Sequence, residues 1–461
     1  MLVLFPDDRR VAATNITYRQ AEIAPSPGLL TPEFHWEGHR TNLYGSVFKS
    51  ANGYEMYYQC HFAERIGYAV SGDGFNWTRP LLNRTDLSAP AHAMVQGNDR
   101  IGVIPGPAVG EDDDESLELT NLVAGYHMPS VIYEPETDAP YKMFVFGEEG
   151  YRVLYSKSGK RFVEYPDNPA ISTLLYKNSH TNKIWASDVA PCFKDRSGYT
   201  AMVKTYVIDD ENRTLRCVGR STSDDFREWS EVKTLWVPGP DEHAIAQSRG
   251  FSWADFYGLC PFAYGDGYLG LLWLFEIDRE LPHGTNKGKM EVFLAYSPDG
   301  EQWRRLSDTP LIPWDLNFGA DGGMVTTASA PVFEENEIRI YYSDSNFEHG
   351  VGEKDLPMHL DAPTWKIRCA QVPKERLVGA YSARGELCLQ SMDFEGRQLR
   401  LNLDCRQGTV RLDFEVGGRS VASQTVEQRD NMDCWLTPAF QGEAALRVTL
   451  ENATLYALEL R

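Results

Sequence analysis

Three aspartates stand at or just before the start of β-type segments that recur along the chain. Asp188 and Asp255 each open such a segment, and Asp321 lies shortly before the next one, at 326–331. Two carboxyl groups in one pocket suit chemistry at a glycosidic bond, because one can donate a proton while the other, ionised, attacks or activates water. Like charges at short range also separate the two pKa values. We therefore predict Asp188 and Asp255 as a catalytic pair.

Further acids are candidates for a third, pKa-tuning or proton-donating role. Asp321 is one; Glu276, which ends a wholly apolar run, is another; and Glu37, which precedes the first recurring segment, is a third. An acid at a strand end can instead cap a turn or accept backbone N–H groups, so each has a purely structural alternative. The sequence does not assign which carboxyl is the acid and which the base.

Aromatic and polar residues near these acids are candidates for binding a sugar. Aromatic rings stack on the C–H face of a pyranose or furanose, and imidazole or guanidinium groups bond hydroxyls or an anionic substituent. The predicted substrate-binding residues are His127, Arg40, Tyr44, Trp253, Tyr257, Arg249, His243 and Trp314.

The elements that must position these residues are short strands. Strand–Ser-x-Asp-Gly-x-x-Trp units or their relatives occur at 68–77, 294–303, 218–229 and, degenerately, 154–162. Asp-Gly supplies a positive-φ hairpin turn, and the following aromatic packs back on the sheet. Helical periodicity is almost absent.

Five strand openings, near positions 42, 127, 188, 255 and 326, follow one another at intervals of about 60 to 85 residues. Five units of about four strands predict an all-β fold, a five-bladed β-propeller. The inner strands of a propeller line a central funnel, so the openings should converge at one mouth. An unclosed array of β-sandwiches is the alternative.

The propeller is predicted to span residues 31–373 and to be the catalytic domain. Residues 1–30 form an N-terminal lead-in segment that packs across both domains. From about 374 the aromatic hairpin motif stops and short alternating strands follow, which predicts a small C-terminal β-sandwich over 374–461.

Charge and composition exclude several classes of partner. Lys and Arg number 45 against 66 Asp and Glu, a net charge of −21, which argues against nucleic acid and anionic membrane surfaces. No apolar run is long enough to cross a membrane, and the short N-terminal apolar run followed by acids is not a signal peptide, so a cytoplasmic location is expected. A homo-oligomer is compatible with the sequence.

The sequence predicts no cofactor and no metal site. The eight cysteines form no CxxC pair, so they are expected to be free, mostly buried thiols. The acidic run at 111–115 has no calcium-loop spacing and is expected to be a solvated loop.

The strand-SxDGxxW repeat, the inner-strand carboxylates and the terminal sandwich together resemble the five-bladed propeller glycosidases of glycoside hydrolase families 32, 43, 62 and 68. The chain is most similar to uncharacterised bacterial proteins resembling family 32, through residues 44–47, 187–189, 256–258 and 323–331. The resemblance implies an exo-acting glycoside hydrolase that acts on an oligosaccharide or glycoside without a cofactor.

The sequence departs from family 32 at its catalytic motifs. The first-blade aspartate of that family is missing from 42–45, which reads Asn-Leu-Tyr-Gly, so its catalytic triad does not transfer. Two alternatives stay open. A glycoside phosphorylase would need a cationic phosphate cradle, for which Arg249 and Lys204 are candidates. A non-catalytic carbohydrate-binding propeller would explain the missing motif.

Overall fold

The computed structural model describes the chain apart from residues 1, 8, 10, 39, 61–64, 86, 89–103, 106–117, 148, 173–184, 283–284 and 351–364. The acidic run at 111–115 lies outside the described residues. The described chain is nearly all β. Its helices are α1 (Pro240–Ser248) and two short 3₁₀ turns, at His35–Glu37 and Gly319–Asp321. The prediction of an all-β fold is confirmed.

Three short strands come first and are followed by the strands of the first large sheet. They are β1 (Leu2–Leu4), β2 (Val11–Thr14), β3 (Thr17–Gln20), β4 (Thr41–Ser50), β5 (Gly53–Cys60), β6 (Arg65–Ser71), β7 (Trp77–Thr78), β8 (Asn83–Thr85), β9 (Ile104–Pro105), β10 (Glu118–Thr120) and β11 (Leu122–Ala124). Strands β4 to β7 with β11 form sheet I, and β8 to β10 form a small separate sheet.

Four more antiparallel sheets follow in chain order. Sheet II contains β12 (His127–Tyr133), β13 (Tyr141–Gly147), β14 (Gly150–Ser156), β15 (Val163–Glu164) and β16 (Ile171–Ser172). Sheet III contains β17 (Trp185–Ala186), β18 (Cys192–Asp195), β19 (Gly198–Ile208), β20 (Thr214–Ser223) and β21 (Lys233–Trp236). Sheet IV contains β22 (Trp253–Tyr264), β23 (Gly267–Glu280), β24 (Asn286–Ser297) and β25 (Arg304–Arg305). Sheet V contains β26 (Val325–Thr327), β27 (Val332–Phe333), β28 (Glu337–Ser345) and β29 (Trp365–Pro373).

The remaining strands form two further sheets with a core of their own. They are β30 (Val378–Ser382), β31 (Gly385–Asp393), β32 (Leu399–Asp404), β33 (Thr409–Val416), β34 (Arg419–Glu427), β35 (Asp430–Leu436), β36 (Glu443–Glu451) and β37 (Ala453–Leu460). Sheet VI has the order β3-β30-β37-β32-β35, with β1 also on β37, and sheet VII has the order β2-β31-β36-β33-β34.

The N-terminal segment is therefore built into the C-terminal sheets. Strand β1 pairs with β37, β2 with β31 and β3 with β30. Beyond these strands, Leu29 donates its N–H to the carbonyl of Ile367 at 2.7 Å, so the segment also runs along sheet V. Residues of the 1–30 segment thus contact sheet V, and its strands complete sheets VI and VII.

The Ser-x-Asp-Gly-x-x-Trp units form the tight turns that the sequence predicts. In the first, Asp73 Oδ1 accepts the backbone N–H groups of Phe75 and Asn76, both at 2.8 Å. Gly74 has φ +82°, a conformation that favours glycine. The indole N–H of Trp77 donates to the Gly74 carbonyl at 3.0 Å, so the aromatic ring folds back onto its own turn.

Sheets I to V contact one another through small polar side chains on their inner strands. Sheets III and IV are joined by an ion pair between Arg216 and Asp255. Hydrogen bonds of 2.8 to 3.0 Å join the other neighbours: Val131 N to Ser46 Oγ, Cys192 N to Ser130 Oγ, Trp273 Nε1 to Thr327 Oγ1, and Ser329 N to Gly45 O. The last bond joins sheet V to sheet I.

The cysteines agree with the sequence prediction. All eight are free, and seven of them are buried. In the described part of the chain, no helix is long and apolar enough to span a bilayer.

Removing one hydroxyl should loosen the contact between sheets I and II. Glu55 is fully buried on sheet I and accepts hydrogen bonds from Tyr68 at 2.7 Å and from Tyr141 on sheet II at 2.8 Å. Tyr141→Phe should lower the free energy of unfolding by about 1.5–3 kcal/mol, since it leaves a buried carboxylate oxygen short of a donor. Urea unfolding measures this loss. Tyr133→Phe in the same aromatic stack is the control, and an equal loss there would contradict this explanation.

Candidate active site

The inner strands of five sheets meet around one narrow channel. Its lining contains a short stretch from each sheet: Tyr44 and Gly45; Met128, Pro129 and Ser130; Val189, Ala190 and Pro191; Cys260 and Trp273; and Thr327 and Ser329. The predicted openings near 42, 127, 188 and 326 directly precede four of these stretches, and Asp255 lies five residues before Cys260 on β22. We call the end of the channel beside these openings the mouth.

Asp188 lies at the mouth, in the turn between β17 and β18. Its φ is +72°, and a non-glycine residue in this region costs about 1–3 kcal/mol, a strain often found at functional sites. Its carboxylate accepts a hydrogen bond from the ammonium of Lys204 on β19. The Asp188 side chain is 26% exposed, whereas that of Lys204 is only 2% exposed.

The surroundings of Asp188 keep it ionised. Burial on its own would raise the pKa of this carboxyl. The charge and hydrogen bond of Lys204 outweigh burial, helped by His127 and His349, and hold the pKa below its ordinary value. At neutral pH Asp188 is a partly exposed carboxylate at the mouth.

Asp255 is held differently, as the third residue of β22. Arg216 on β20 contacts its Oδ2 at 2.9 Å, and the side chain is fully buried. Its other oxygen, Oδ1, has no hydrogen-bond partner in the described structure. Burial outweighs the guanidinium and raises the pKa of Asp255 to about 6. This carboxyl therefore carries a proton over part of the weakly acidic range.

Tyr257 joins the two aspartate sites. Its ring centroid lies 4.1 Å from the Lys204 ammonium and 6.0 Å from the Arg216 guanidinium carbon. On another side, its ring stacks on that of Tyr44, with centroids 6.4 Å apart. Both cations that contact the aspartates thus lie against one aromatic ring that adjoins the channel.

His349 lies beside Tyr257 and stays neutral. Burial, followed by the nearby Arg216, lowers its pKa to about 3. Nδ1 lies 2.8 Å from the carbonyl oxygen of Asn286 and must donate to it, because a carbonyl only accepts. Nε2 then accepts from the Tyr257 hydroxyl at 3.3 Å. The imidazole fixes the direction of that hydroxyl.

Three other predicted binding residues lie near the mouth. Arg40 donates to Asn42 Oδ1 at 2.8 Å, and its guanidinium carbon lies 5.2 Å from the Tyr44 ring centroid. His127 begins β12 and is close enough to Asp188 to lower the pKa of its carboxyl. Trp253 begins β22 beside Asp255. The cations bound by Asp188 and Asp255 thus both lie near the Tyr257 ring, and Arg40, His127 and Trp253 lie near one or another of these residues.

His243 lies next to this group and faces the backbone. It is on α1, and its Nδ1 accepts the N–H of Ala254 at 3.3 Å. Burial, with the nearby Arg213, lowers its pKa. Its contact positions the start of β22.

Glu276 belongs to a second cluster. Phe275 pairs with Asp255 across β22 and β23, and adjacent residues on a strand project to opposite faces, so the carboxyls of Glu276 and Asp255 leave opposite faces of sheet IV. Arg249 contacts Glu276 Oε1 at 3.3 Å and also contacts Glu291. Both glutamates are buried, with 0% and 1% of the residue exposed.

The Arg249 guanidinium thus contacts two buried carboxyls. One oxygen of each, Glu276 Oε2 and Glu291 Oε2, has no partner among the described groups. Burial raises the pKa of both glutamates, and their mutual repulsion raises that of Glu291 further. We conclude that the pair holds about one proton at neutral pH.

Trp314 and Asp321 lie with this second cluster. The Lys289 ammonium is 3.5 Å from the Trp314 ring centroid, its charge acts to lower the pKa of Glu276, and the charge of Asp321 acts to raise the pKa of Lys289. Asp321 itself is exposed, on the 3₁₀ turn Gly319–Asp321. Four predicted site residues, Glu276, Arg249, Trp314 and Asp321, are thus grouped around Lys289 and Glu291.

Glu37 has a different set of partners again. Its carboxylate accepts from the Tyr58 hydroxyl at 2.5 Å and contacts Arg79 Nε at 2.9 Å. It also accepts the backbone N–H groups of Glu33 and Phe34. These contacts pin the 3₁₀ turn ahead of β4 to sheet I and occupy both carboxylate oxygens.

Sequence reasoning missed Arg216, His349 and Glu291. A signal existed for Arg216, a charged residue between Leu215 and Cys217 on β20, and a similar pattern marks Lys204 on β19. Glu291 likewise interrupts the apolar part of β24. His349 lies in a polar loop, and nothing in its neighbourhood distinguishes it. Across the described residues, no three or more His, Cys, Asp or Glu side chains are placed to hold a metal ion.

Neither a protein-family model nor a curated protein matches the sequence. Several solved structures are similar in overall shape. An α-L-arabinofuranosidase from Podospora anserina, solved with cellotriose, is 11% identical over 77% of this chain and 97% of its own, with a TM-score of 0.45. A Bacteroides ovatus glycosyl hydrolase is 15% identical over 78% and 96%, with a TM-score of 0.44. An α-L-arabinofuranosidase from Clostridium thermocellum is 12% identical over 66% and 82%, with a TM-score of 0.36. Similarity at this level identifies neither a family nor an activity for this chain.

The shared proton of Glu276 and Glu291 should make stability depend on pH. Their pKa values are raised on folding, so the penalty for ionising the pair is absent in acid and grows as the pH rises through the folded pKa range. Glu291→Gln removes the repulsion. Relative to this variant, the wild type should lose about 1.4 kcal/mol per pH unit between pH 5 and 7. Denaturant unfolding at each pH measures the difference.

The control is Glu301→Gln, which breaks an exposed ion pair with Arg220. It should run parallel to the wild type across this range. A Glu291→Gln curve that also runs parallel would show that the two glutamates share no proton.

Proposed function

We propose that this protein is a glycoside hydrolase whose catalytic pair is Asp188 and Asp255. The proposal rests on one observation. Two carboxyls at one mouth have pKa values displaced in opposite directions, Asp188 downward by Lys204 and Asp255 upward by burial to about 6. Such a separation gives one group to serve as base or nucleophile and another to serve as acid.

In this mechanism Asp255 is the general acid. Its buried Oδ1 has no partner in the described structure, so this is the oxygen that would carry the proton passed to the leaving oxygen of the glycosidic bond. That oxygen keeps the electron pair of the breaking C–O bond. Asp188, ionised and partly exposed, either attacks the anomeric carbon or takes a proton from the water that does so.

The surroundings support a sugar as the substrate. Tyr44 and Tyr257 form a stacked, largely buried pair of rings beside the aspartates, and aromatic rings pack well on the C–H faces of sugars. Arg40 and His127 supply polar groups at the edge. The channel behind the mouth is narrow, which favours an exo-acting enzyme that takes the end of an oligosaccharide or a simple glycoside.

We also propose that sheets I to V are the blades of a five-bladed β-propeller, within the catalytic domain 31–373. The hydrogen bond from sheet V back to sheet I supports a closed ring. Residues 374–461 would form a C-terminal β-sandwich, to which sheets VI and VII correspond. Strands β1 to β3 from the 1–30 segment complete that unit.

Phosphorolysis is the second candidate reaction. Lys204, which the sequence suggests for a phosphate cradle, lies in the site, 4.1 Å from the Tyr257 ring centroid. The guanidinium carbon of Arg216 lies 6.0 Å from the same centroid. Two cations next to the catalytic pair could hold an attacking phosphate in place of water. Arg249, the other residue suggested for this role, is instead engaged by Glu276 and Glu291.

Removing the negative charge of Asp188 should abolish turnover. Asp188→Asn should lower kcat/KM on a responsive aryl glycoside by at least about 10²-fold, because the amide can neither attack nor accept a proton. A release assay over a panel of aryl glycosides gives the rate. Asp224→Asn, on an exposed turn of sheet III, is the matched control and should keep wild-type activity.

The same assay separates the alternatives. Repeating it with inorganic phosphate and analysing the product for a sugar phosphate distinguishes phosphorolysis from hydrolysis. Full activity in Asp188→Asn would remove this residue from the mechanism. A panel without turnover but with measurable sugar binding would favour the non-catalytic alternative.

The pH dependence should report the protonated state of Asp255. Because the acid must carry its proton, kcat/KM should fall above about pH 6. On the acidic side, kcat/KM should fall only below the ordinary pKa range of an aspartate, since the pKa of Asp188 is lowered. In Arg216→Gln the Asp255 carboxylate loses its stabilising cation, so its pKa rises and the alkaline limb moves to higher pH. The profile of kcat/KM measures both positions.

Arg220→Gln is the control for this shift. Arg220 lies on the same strand and pairs with the exposed Glu301 at 2.6 Å. Its profile should match the wild type. An alkaline limb that stays in place in Arg216→Gln would argue that Asp255 is not the proton donor.

A further inference from the structure

A polar cleft lies at the junction between sheets V and VI. Its cavity volume is about 280 Å³, close to the lower end of the range usual for small-molecule binding sites. One side is the turn before β28, with Glu335 and Asn336, and the base is the connecting segment with Lys374 and Glu375. The other side is sheet VI, which contributes Arg400, Trp435 and Arg461 among others.

The cleft is remote from the mouth. Strand β28 runs from Glu337, next to the cleft, to Ser345, which pairs with Trp365 and lies level with Met324 at the start of β26. At about 3.3 Å per residue, β28 spans about 26 Å between these ends. A ligand in the cleft would therefore not touch Asp188 or Asp255.

The floor of the cleft is rigid. Arg400 contacts both oxygens of Glu375, at 2.7 and 2.9 Å, and Glu459 at 2.8 Å. Both the Arg400 and Glu375 side chains are only 9% exposed. Glu375 has φ +65°, a strained conformation for a glutamate, and the two-point contact holds it there. Donors and acceptors on this floor are fixed in direction.

The lining has almost no net charge. Four of its residues are acidic, Glu335, Glu375, Asp433 and Glu459, and three are basic, Lys374, Arg400 and Arg461, which leaves −1. Most of these charges are already paired with one another. The balance argues against an anionic ligand such as a nucleotide, which needs a surplus of cations.

Trp435 forms an aromatic wall. It is 43% exposed, and it is the one tryptophan among the strongly exposed large apolar side chains of the described chain. Arg461 lies 5.3 Å from its ring centroid and steadies the indole. An exposed aromatic ring beside fixed polar groups is a surface on which a sugar ring can stack.

We infer that this cleft is a second, non-catalytic carbohydrate site that binds a short uncharged oligosaccharide between Trp435 and the Glu375–Arg400 floor. The indole would stack on the C–H face of one sugar ring, while Asn336, Asp433 and Lys374 reach its hydroxyls. The inference does not depend on hydrolysis at the mouth. It assigns the junction a ligand of the class that the mouth is proposed to cleave.

The test measures binding by isothermal titration calorimetry in the full chain carrying Asp188→Asn, so that no sugar is consumed. The probes are neutral cello-, xylo- and arabino-oligosaccharides of three to five units. Adding Tyr257→Ala removes the aromatic platform at the mouth. Binding should survive this change and should weaken at least tenfold when Trp435→Ala is added. Trp435→Phe should restore part of the affinity, because it restores a ring.

Val421→Ala on sheet VII, whose side chain is similarly exposed, is the matched control and should leave binding unchanged. Equal affinity with and without Trp435, or no binding of any probe, would overturn the inference. In an otherwise wild-type chain, Trp435→Ala should hydrolyse short aryl glycosides at the wild-type rate. A failure of the hydrolase proposal would therefore show in that assay and leave the calorimetric result standing.

Discussion

The close contact of sheets I to V around the channel is the constraint on which the rest of the molecule depends. Small residues make it possible. A Cβ on Gly45 would lie 1.9 Å from the carbonyl oxygen of Tyr57, so only glycine lets β4 lie that close to β5. Ser46, Ser130 and Ser329 then bridge neighbouring sheets with their hydroxyls. Because the strands meet so closely, the residues that precede them are forced together at the mouth.

Crowding at the mouth also explains the charges there. Acids brought into a confined space would repel one another, and each is balanced by a cation on an adjoining strand: Lys204 for Asp188 and Arg216 for Asp255. The difference between the two aspartates follows from exposure. The carboxyl that retains contact with water is stabilised as an anion, and the one sealed inside the protein is not, despite its arginine. Although the chain has a net charge of −21, the two aspartates are each paired with one cation.

Much of this was within reach of the sequence. Repeated turns and alternating apolar residues predict the strands, because those patterns act locally. The convergence of Asp188 and Asp255 follows from their equivalent places in the repeat. What the sequence could not provide is pairing across sheets: Arg216 lies 39 residues from Asp255, and His349 reaches Tyr257 from a loop of sheet V. The placement of Glu276 depends on strand alternation together with register, and a one-residue shift would have reversed it.

Strands β1 to β3 have a consequence for how the chain is made. Leu2 pairs with Glu459, and Val11 pairs with Leu389, so each of these strands pairs with a segment that is synthesised hundreds of residues later. Such distant pairing is slow to form and leaves sheet edges unprotected meanwhile. During synthesis β1 must stay unpaired until β37, residues Ala453–Leu460, has emerged.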